Sequence, residues 1–265
     1  MSINRRPSRK PSGPPTYAPT TRPVYRGGSS SSAAYPLSFS ALGMTGASGF
    51  VFDSLRSAVL QSVDGAPSAN GDVVGYIEDV SGSGSHVSQN TTANKPTVAV
   101  TNGIAALRLD ASKFLEGTMP VAINNNAWSM VLVGYNSDGA GSVYVAFAGS
   151  ANYFLYDNAR YRVIANSAGV IDQTIGQPRL NIVRVRSNTG GITMNLYNAN
   201  TGALDKGPYT AAAATGTTDA VVRLGISDSQ RPCEFPFVMV TNYDIDDTLF
   251  DTIKTKLVER FGGWR

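Results

Sequence analysis

At 265 residues, with 42% apolar and only 15% charged side chains, the chain has material for one large core or two small ones. The formal charge of +3 comes from one end: of 22 basic groups, Arg5, Arg6, Arg9, Lys10, Arg22 and Arg26 fall in residues 1–28 with no acid among them, which leaves 16 basic against 19 acidic groups beyond. This excludes a basic nucleic-acid face on the body; the single Cys233 excludes an internal disulfide or a thiolate metal cage, and no run approaches the ~18 apolar residues of a membrane span.

Residues 1–36 read as an extended basic arm. Seven of the 14 prolines lie here (Pro7, Pro11, Pro14, Pro15, Pro19, Pro23, Pro36), with Arg, Ser and Gly between them and almost no large aliphatics. Such a segment cannot bury enough surface to offset its ordering entropy. Proline favours extended backbone, and Gly27-Gly28 before a serine run reads as a hinge. No apolar stretch follows Arg5-Arg6, so no export signal is read there and the chain is expected to be made in the cytoplasm. Either the arm is a solvated leader or it grips a neighbour, with Arg5, Arg6, Arg9, Lys10, Tyr17, Arg22, Tyr25 and Arg26 as the grips.

The body, 37–265, is predicted to be all-β up to its last helix. Strands are expected at Val73–Ile77, Thr97–Thr101, Ile104–Leu109, Trp128–Tyr135, Ser142–Ala148, Tyr153–Tyr156 and Tyr161–Ala165. Others follow at Arg179–Arg186, Gly191–Tyr197, Ala220–Ile226 and Phe235–Thr241. The clearest is Gly191–Tyr197, where Ile192, Met194 and Leu196 alternate with Thr193, Asn195 and Tyr197. The link Ser187-Asn188-Thr189-Gly190-Gly191 before it has hairpin chemistry. About ten strands without a helical period between them imply antiparallel sheets stacked face to face.

Residues 246–261 are the one predicted helix. Asp246 caps it, and Ile245 and Phe250 are placed for a hydrophobic staple across the cap. Leu249, Ile253 and Leu257 form a stripe edged by Phe250, Val258 and Phe261. Asp246, Asp247 and Asp251 complement the positive end of the dipole, Lys254, Lys256 and Arg260 the negative end, and Gly262-Gly263 stops the helix. It is expected to close the sandwich by packing.

Three stretches carry a family likeness. Phe50–Asn90 holds an Asp-bearing strand, D-G-x-P and G-D-x-V-G turns, and then Asp79, Ser81, Gly82, Gly84 and Gln89 in the pattern x-D-x-S-G-x-G-x-x-x-x-Q. Residues 95–117 (KPTVAVTNGIAALRLDASKFLEG) match a strand pair that opens R-P-T, and the C-terminal strand and helix end in R-F-G where the family commonly has R-Y-G. Together these make the chain resemble the LamG-like concanavalin A-type domains found in many bacteriophage structural proteins. The resemblance implies an antiparallel β-sandwich of jelly-roll, concanavalin A-like type. Its setting would be a virion surface, as capsid decoration, head fibre or tail fibre. The arm would lie along neighbouring capsid or tail subunits, linked copies would form a homo-oligomer with gains in avidity, and a host cell-surface glycan is a further partner.

The chemistry-bearing residues point to binding rather than catalysis. Glycan hydrolysis on this fold needs paired carboxylates, and the four glutamates, Glu78, Glu116, Glu234 and Glu259, form no E-x-D-x-E strand. Glu78 and Asp79 are adjacent and so face opposite ways. His86 is the only histidine and sits in a Gly/Ser loop; Gly46-Ala47-Ser48-Gly49-Phe50 misses the nucleophile elbow; no phosphate loop exists. Asp79 is read first as a turn organiser and secondarily as a calcium ligand. Tyr76-Ile77-Glu78 stand where the family has Trp or Leu, and no second acid pairs with it, so no cofactor is expected. Asp244, Asp246, Asp247 and Asp251 lack a calcium loop's central glycine and are read as a helix start. Polar loops suited to a sugar are Asn124-Asn125-Asn126, Asn136 with Asp138, and Tyr153 with Tyr156, Asp157 and Asn158. The alternatives to a displayed virion protein are a glycan-binding lectin module with a linker tail and a glycan hydrolase of the same fold.

Overall fold

The computed structural model describes residues 36–110, 112–122, 127–136, 143–147, 152–157, 160–165, 169–174, 180–212, 220–225 and 233–264; within 136–162 and 164–179 the description is of backbone alone. In chain order the strands are β1 (Gly49–Asp53), β2 (Val59–Leu60), β3 (Tyr76–Ile77), β4 (Val87–Ser88), β5 (Thr97–Thr101), β6 (Ile104–Leu109), β7 (Phe114–Thr118), β8 (Trp128–Asn136) and β9 (Val143–Phe147). They continue as β10 (Asn152–Asp157), β11 (Arg160–Ala165), β12 (Gly169–Thr174), β13 (Leu180–Asn188), β14 (Gly191–Asn198), β15 (Leu204–Ala211), β16 (Val221–Gly225) and β17 (Cys233–Thr241), and α1 spans Asp247–Phe261. All named pairings are antiparallel. The first sheet runs β15-β14-β13-β8-β17-β6-β5, with β1 also on β17; the second runs β12-β11-β10-β9-β16-β7-β4-β3-β2.

One apolar core joins the two sheets. Phe52, Trp128, Met130, Leu132, Val183, Val185 and Val240 enter it from the first sheet, and Ile77, Val87, Leu115, Val222 and Leu224 from the second. A second core lies on the outer face of the first sheet. There Val131, Val133, Ile182, Phe237 and Met239 meet Phe250, Ile253, Leu257 and Phe261 of α1, with Leu37, Phe39, Met44 and Trp264 around them. The central strands of the first sheet are thus buried on both faces, which is why β8 and β17 read as nearly unbroken apolar runs.

Strand β17 switches partner and face along its length. Cys233–Phe235 pairs with β6, and Phe237–Thr241 pairs with β1 on the same side. The register on β8 shifts between Glu234 and Phe237, at Pro236, which has no N–H to give to a ladder. The irregularity resets the alternation, so Phe235 and Val238 both enter the inter-sheet core while Phe237 enters the outer one. The freed Pro236 carbonyl accepts from the Ser54 N–H at 2.9 Å.

The expected strands at Thr97–Thr101 and Ile104–Leu109 form as read, joined through Asn102-Gly103 with φ of 49° and 79°, the paired left-handed conformation of a tight primed hairpin turn. The hairpin at 188–191 also forms, with Asn188 opposite Gly191. Two expectations need correction. The strand expected over Val73–Ile77 shrinks to Tyr76–Ile77, with Val73 in an isolated bridge to Thr97, because the Gly75 and Val74 N–H groups bond the Leu60 and Pro96 carbonyls instead of one ladder. And α1, capped as expected by Asp246, does not close the inter-sheet core: it covers the outer face of one sheet, because that face is itself apolar. Among the described residues, no helix is long and apolar enough to cross a membrane.

Candidate functional site

The N-terminus of α1 is tied to Arg184 of β13, and beside it lies a cleft of about 230 Å³ lined by Arg184, Arg186, Thr193, Asn195, Pro208 and Asp247. Strand alternation builds its floor. Val183 and Val185 of β13 face the inter-sheet core, as do Ile192, Met194 and Leu196 of β14, so Arg184, Arg186, Thr193 and Asn195 face outward. Register then pairs Arg184 with Asn195 and Arg186 with Thr193 directly across the strands, close enough for neighbouring side chains to interact. On the far side, β15 pairs Thr210 with Thr193 and shifts register between Met194 and Leu196, beside the cis Gly207-Pro208 peptide.

The link from β17 into α1 supplies the opposing charges. Arg186 donates from Nη2 to Asp244 Oδ2 at 2.9 Å and from Nε to Asp244 Oδ1. Arg184 donates from Nη1 to Asp247 Oδ1 at 2.6 Å and from Nη2 to the Ile245 carbonyl at 2.7 Å, and its guanidinium lies 4.6 Å from the Phe250 ring centroid. Arg184 is only 5% exposed whereas the Asp247 side chain is 85% exposed. The hydrogen bond from Arg184, reinforced by its charge, holds the Asp247 carboxyl below the usual carboxylate range. The hydrogen bond to Asp244 raises Arg186 above its usual value. Asn195 donates through Nδ2 to the Tyr197 hydroxyl at 3.0 Å. Its buried Oδ1 and the buried Nε of Arg184 have no hydrogen-bond partner among the described residues. The cleft therefore offers planar, pre-oriented polar groups on rigid strands, while these two atoms are buried.

The Asp79 loop is organised by its own backbone. Asp79 accepts from the N–H groups of Val51 and Ser81 at 2.8 Å each, from Ser81 Oγ at 2.7 Å and from the Ser85 N–H at 3.0 Å. The Ser81 contact is the Asx-type turn expected of this residue. Its own N–H donates to His86 Nδ1 at 3.0 Å. Glu78 turns elsewhere and accepts from the Ala58 N–H at 3.3 Å, so the two adjacent acids do not converge. Among the described residues, no three His, Cys, Asp or Glu side chains gather as metal ligands.

Other predicted site residues fall differently. Arg5, Arg6, Arg9, Lys10, Tyr17, Arg22, Tyr25, Arg26, Asn125 and Asp138 lie outside the described residues. Asn136, Tyr153, Tyr156 and Asp157 have described backbone, at the end of β8 and within β10, but their side chains lie outside the description. The residues of the cleft were not read as one site in the sequence, although a signal existed: Arg184 and Arg186 alternate with Val183 and Val185 in the strand LNIVRVRSN. Two charges on one face of a buried strand require partners, and the Asp-rich helix start is where those partners are.

No family model matches the chain, and no curated protein matches it. Among solved structures, a GH54 α-L-arabinofuranosidase soaked with a cyclic sulfate inhibitor aligns at a TM-score of 0.58 with 15% identity, over 80% of this chain and 62% of that one. At that identity the likeness shows a shared fold alone. A structure of Trypanosoma rangeli sialidase in complex with 2,3-difluorosialic acid aligns at 0.48 with 12% identity, over 78% of this chain and 33% of that one. One described by the cell entry of botulinum neurotoxin type C through two ganglioside molecules also aligns at 0.48 with 12% identity, over 68% of this chain and 48% of that one. This chain thus spans less than two thirds of each of these proteins.

Proposed function

We propose that this chain is a carbohydrate-binding module on a jelly-roll β-sandwich of concanavalin A-like type, and that the cleft beside α1 is its sugar site. The observation that carries the reading is the two-by-two patch of Arg184, Asn195, Arg186 and Thr193, held in fixed register on β13 and β14 and framed by Asp244 and Asp247. Sugars are bound through hydroxyls that donate and accept together, and guanidinium, amide, hydroxyl and carboxylate groups with locked geometry supply the complementary set. The cleft has room for about one sugar ring, smaller than a drug-sized pocket. The fold shared with an arabinofuranosidase supports the reading. The same geometry favours binding over hydrolysis, since a general acid needs a raised pKa and Asp247 is held the other way by Arg184.

The test is a glycan microarray probed with the full chain and with Arg186→Ala, folding of both being checked by circular dichroism. Binding to a defined set of glycans, lost in the variant, is the expected result. No glycan retained by the wild-type chain, or equal retention by the variant, overturns the assignment. Display on a virion is a second reading, supported by the likeness of Phe50–Asn90 and 95–117 to phage LamG-like domains and by the basic arm. It is compatible with the first, since a displayed sandwich that binds sugar would serve host attachment.

A further inference from the structure

Internal hydrogen bonds leave the cleft with few groups free for a ligand. Arg186 lines it, and Asp244 does not. The Nε and Nη2 edge of Arg186 is spent on Asp244, so Nη1 is the terminal nitrogen left over. It makes no hydrogen bond among the described residues, on a side chain 25% exposed. Asp247 gives Oδ1 to Arg184, and its Oδ2 accepts nothing among the described residues, on a side chain 85% exposed. Thr193, half-buried and paired with Arg186, adds a hydroxyl; Pro208 is the one apolar residue of the lining, exposed on β15. Arg184 and Asn195 are turned to Asp247, Ile245 and Tyr197, and form walls rather than contacts.

The two polar handles are of opposite and fixed type. A guanidinium N–H can only donate, and a carboxylate oxygen can only accept. Arg184 holds the Asp247 carboxyl below the usual range, so it stays an acceptor. A bound carboxylate would accept from Arg186 Nη1, but it has no proton for Asp247 and brings a second negative charge beside it. A bound ammonium would donate to Asp247 but has nothing for Arg186. A hydroxyl can play either part, at the cost of fixing its rotor for each. A secondary amide carries both parts at once: its carbonyl accepts, its N–H donates, and the two are locked in one plane. In an acetamido group a methyl stands beside that carbonyl, which suits the apolar Pro208.

Resting on the carbohydrate reading above, we propose that the cleft selects sugars bearing an N-acetylamino group. Arg186 takes the acetamido carbonyl through Nη1, Asp247 takes the amide N–H through Oδ2, and the methyl lies against Pro208. Asp244 is a positioning residue: by holding Nε and Nη2 it presents Nη1. Thr193 is left for a ring hydroxyl.

The experiment is isothermal titration of the full chain with gluco- and galacto-configured oligosaccharide pairs, whose members differ only in carrying an acetamido group or a hydroxyl at the same ring carbon. A uronate-bearing counterpart and a short N-acetylated peptide are further probes. Wild type and Asp247→Asn are compared, with Tm measured for both. Wild type is expected to bind the acetamido member about tenfold or more tightly than the hydroxyl member, one hydrogen bond being worth about that factor, and to bind the uronate and peptide probes no better than the hydroxyl member. In Asp247→Asn the amide oxygen stays on the Arg184 donor, which turns the new NH₂ towards the ligand. Two donors then meet at the acetamido N–H, whereas a hydroxyl can turn and accept. The variant should therefore lose the acetamido preference while still binding the hydroxyl member. Equal or tighter binding of the hydroxyl, uronate or peptide probe by wild type, or an unchanged preference in Asp247→Asn, overturns the selectivity and leaves the carbohydrate reading standing. Absence of wild-type binding to every sugar instead removes the reading on which the selectivity rests.

Discussion

Arg260, in the last turn of α1, places Nη2 2.5 Å from Asp53 Oδ2 at the end of β1, tying the final helix to the first strand across 207 positions of sequence. Asp53 is fully buried; its Oδ1 accepts from the Leu55 N–H at 2.9 Å, and its own N–H donates to Ser57 Oγ at 3.1 Å. The acid of the opening family-like motif and the arginine of the closing one are thus a single interaction. Removing one partner of a buried pair leaves the other charge uncompensated, at a cost of about 3–5 kcal/mol. Arg260→Ala and Asp53→Ala should each lower the unfolding free energy obtained from urea denaturation by that order. The double variant should be less destabilised than the sum of the two. Additive losses would show that the two residues act separately.

Capping and packing contributions of α1 separate by substitution. Asp246 Oδ1 accepts from the Leu249 N–H at 2.8 Å, and losing such a cap costs about 1 kcal/mol. Phe250 is buried, with its ring centroid 5.0 Å from that of Tyr197 and the Arg184 guanidinium over it; truncating a buried phenylalanine costs about 3–5 kcal/mol. Thermal unfolding should rank Phe250→Ala well below Asp246→Ala. Equal losses would mean that α1 is held by its end rather than by its face.

Much of this fold was legible where one face of an element is buried and the other is not. The alternation of Ile192, Met194 and Leu196 placed β14, and the apolar stripe from Phe250 to Phe261 placed α1, because each pattern reports a single boundary with water. Periodicity fails where both faces are covered: all five residues of β1 are buried, so it has no alternation to read, and only the resemblance implied a strand there. β15 was hidden for another reason, since Gly207-Pro208 interrupts its middle. The cleft was legible only as the alternating Arg184 and Arg186, because their partners are set by register and by the segment leading into α1, 58 and 63 residues downstream, and the second core that brings them together has no local signature. Asp244 and Asp247 therefore looked like a helix start, which describes their position but not their use.

Acid should loosen α1 through Asp247. Its carboxyl is lowered in the folded state, first by the hydrogen bond from Arg184 and then by that residue's charge. The stabilisation is therefore present above the unfolded pKa, about 3.9, and is lost as pH falls through the lower folded value. With the Asp247 side chain 85% exposed, solvent screening keeps the effect near or below about 1 kcal/mol. Wild type should exceed Asp247→Asn in Tm at pH 6, with the gap closing below pH 4 and narrowing in high salt. A gap that persists at pH 2.5 would rule out the ion pair as its source.

Alkali should act through Cys233. The thiol is buried 3.5 Å from the Tyr135 carbonyl, and desolvation pushes its pKa far above the usual thiol range. Here the raised group is an acid that stays neutral when folded, so its contribution is complete below the unfolded thiol pKa of about 8.5. Above that pH the unfolded chain releases a proton that the folded chain keeps, and stability falls by about 1.4 kcal/mol per pH unit until the folded pKa is reached. Cys233→Ala removes this slope while creating a small cavity. Unfolding free energies from denaturation at pH 7 to 10 should therefore fall for wild type relative to the variant, by more than about 1 kcal/mol at the upper end on the same scale of about 1.4 kcal/mol per pH unit. The same burial makes the thiol inert, so labelling by a disulfide reagent at pH 8 should follow the unfolding rate. Prompt labelling of the folded chain, or unfolding free energies that run parallel across that range, would place Cys233 in contact with water.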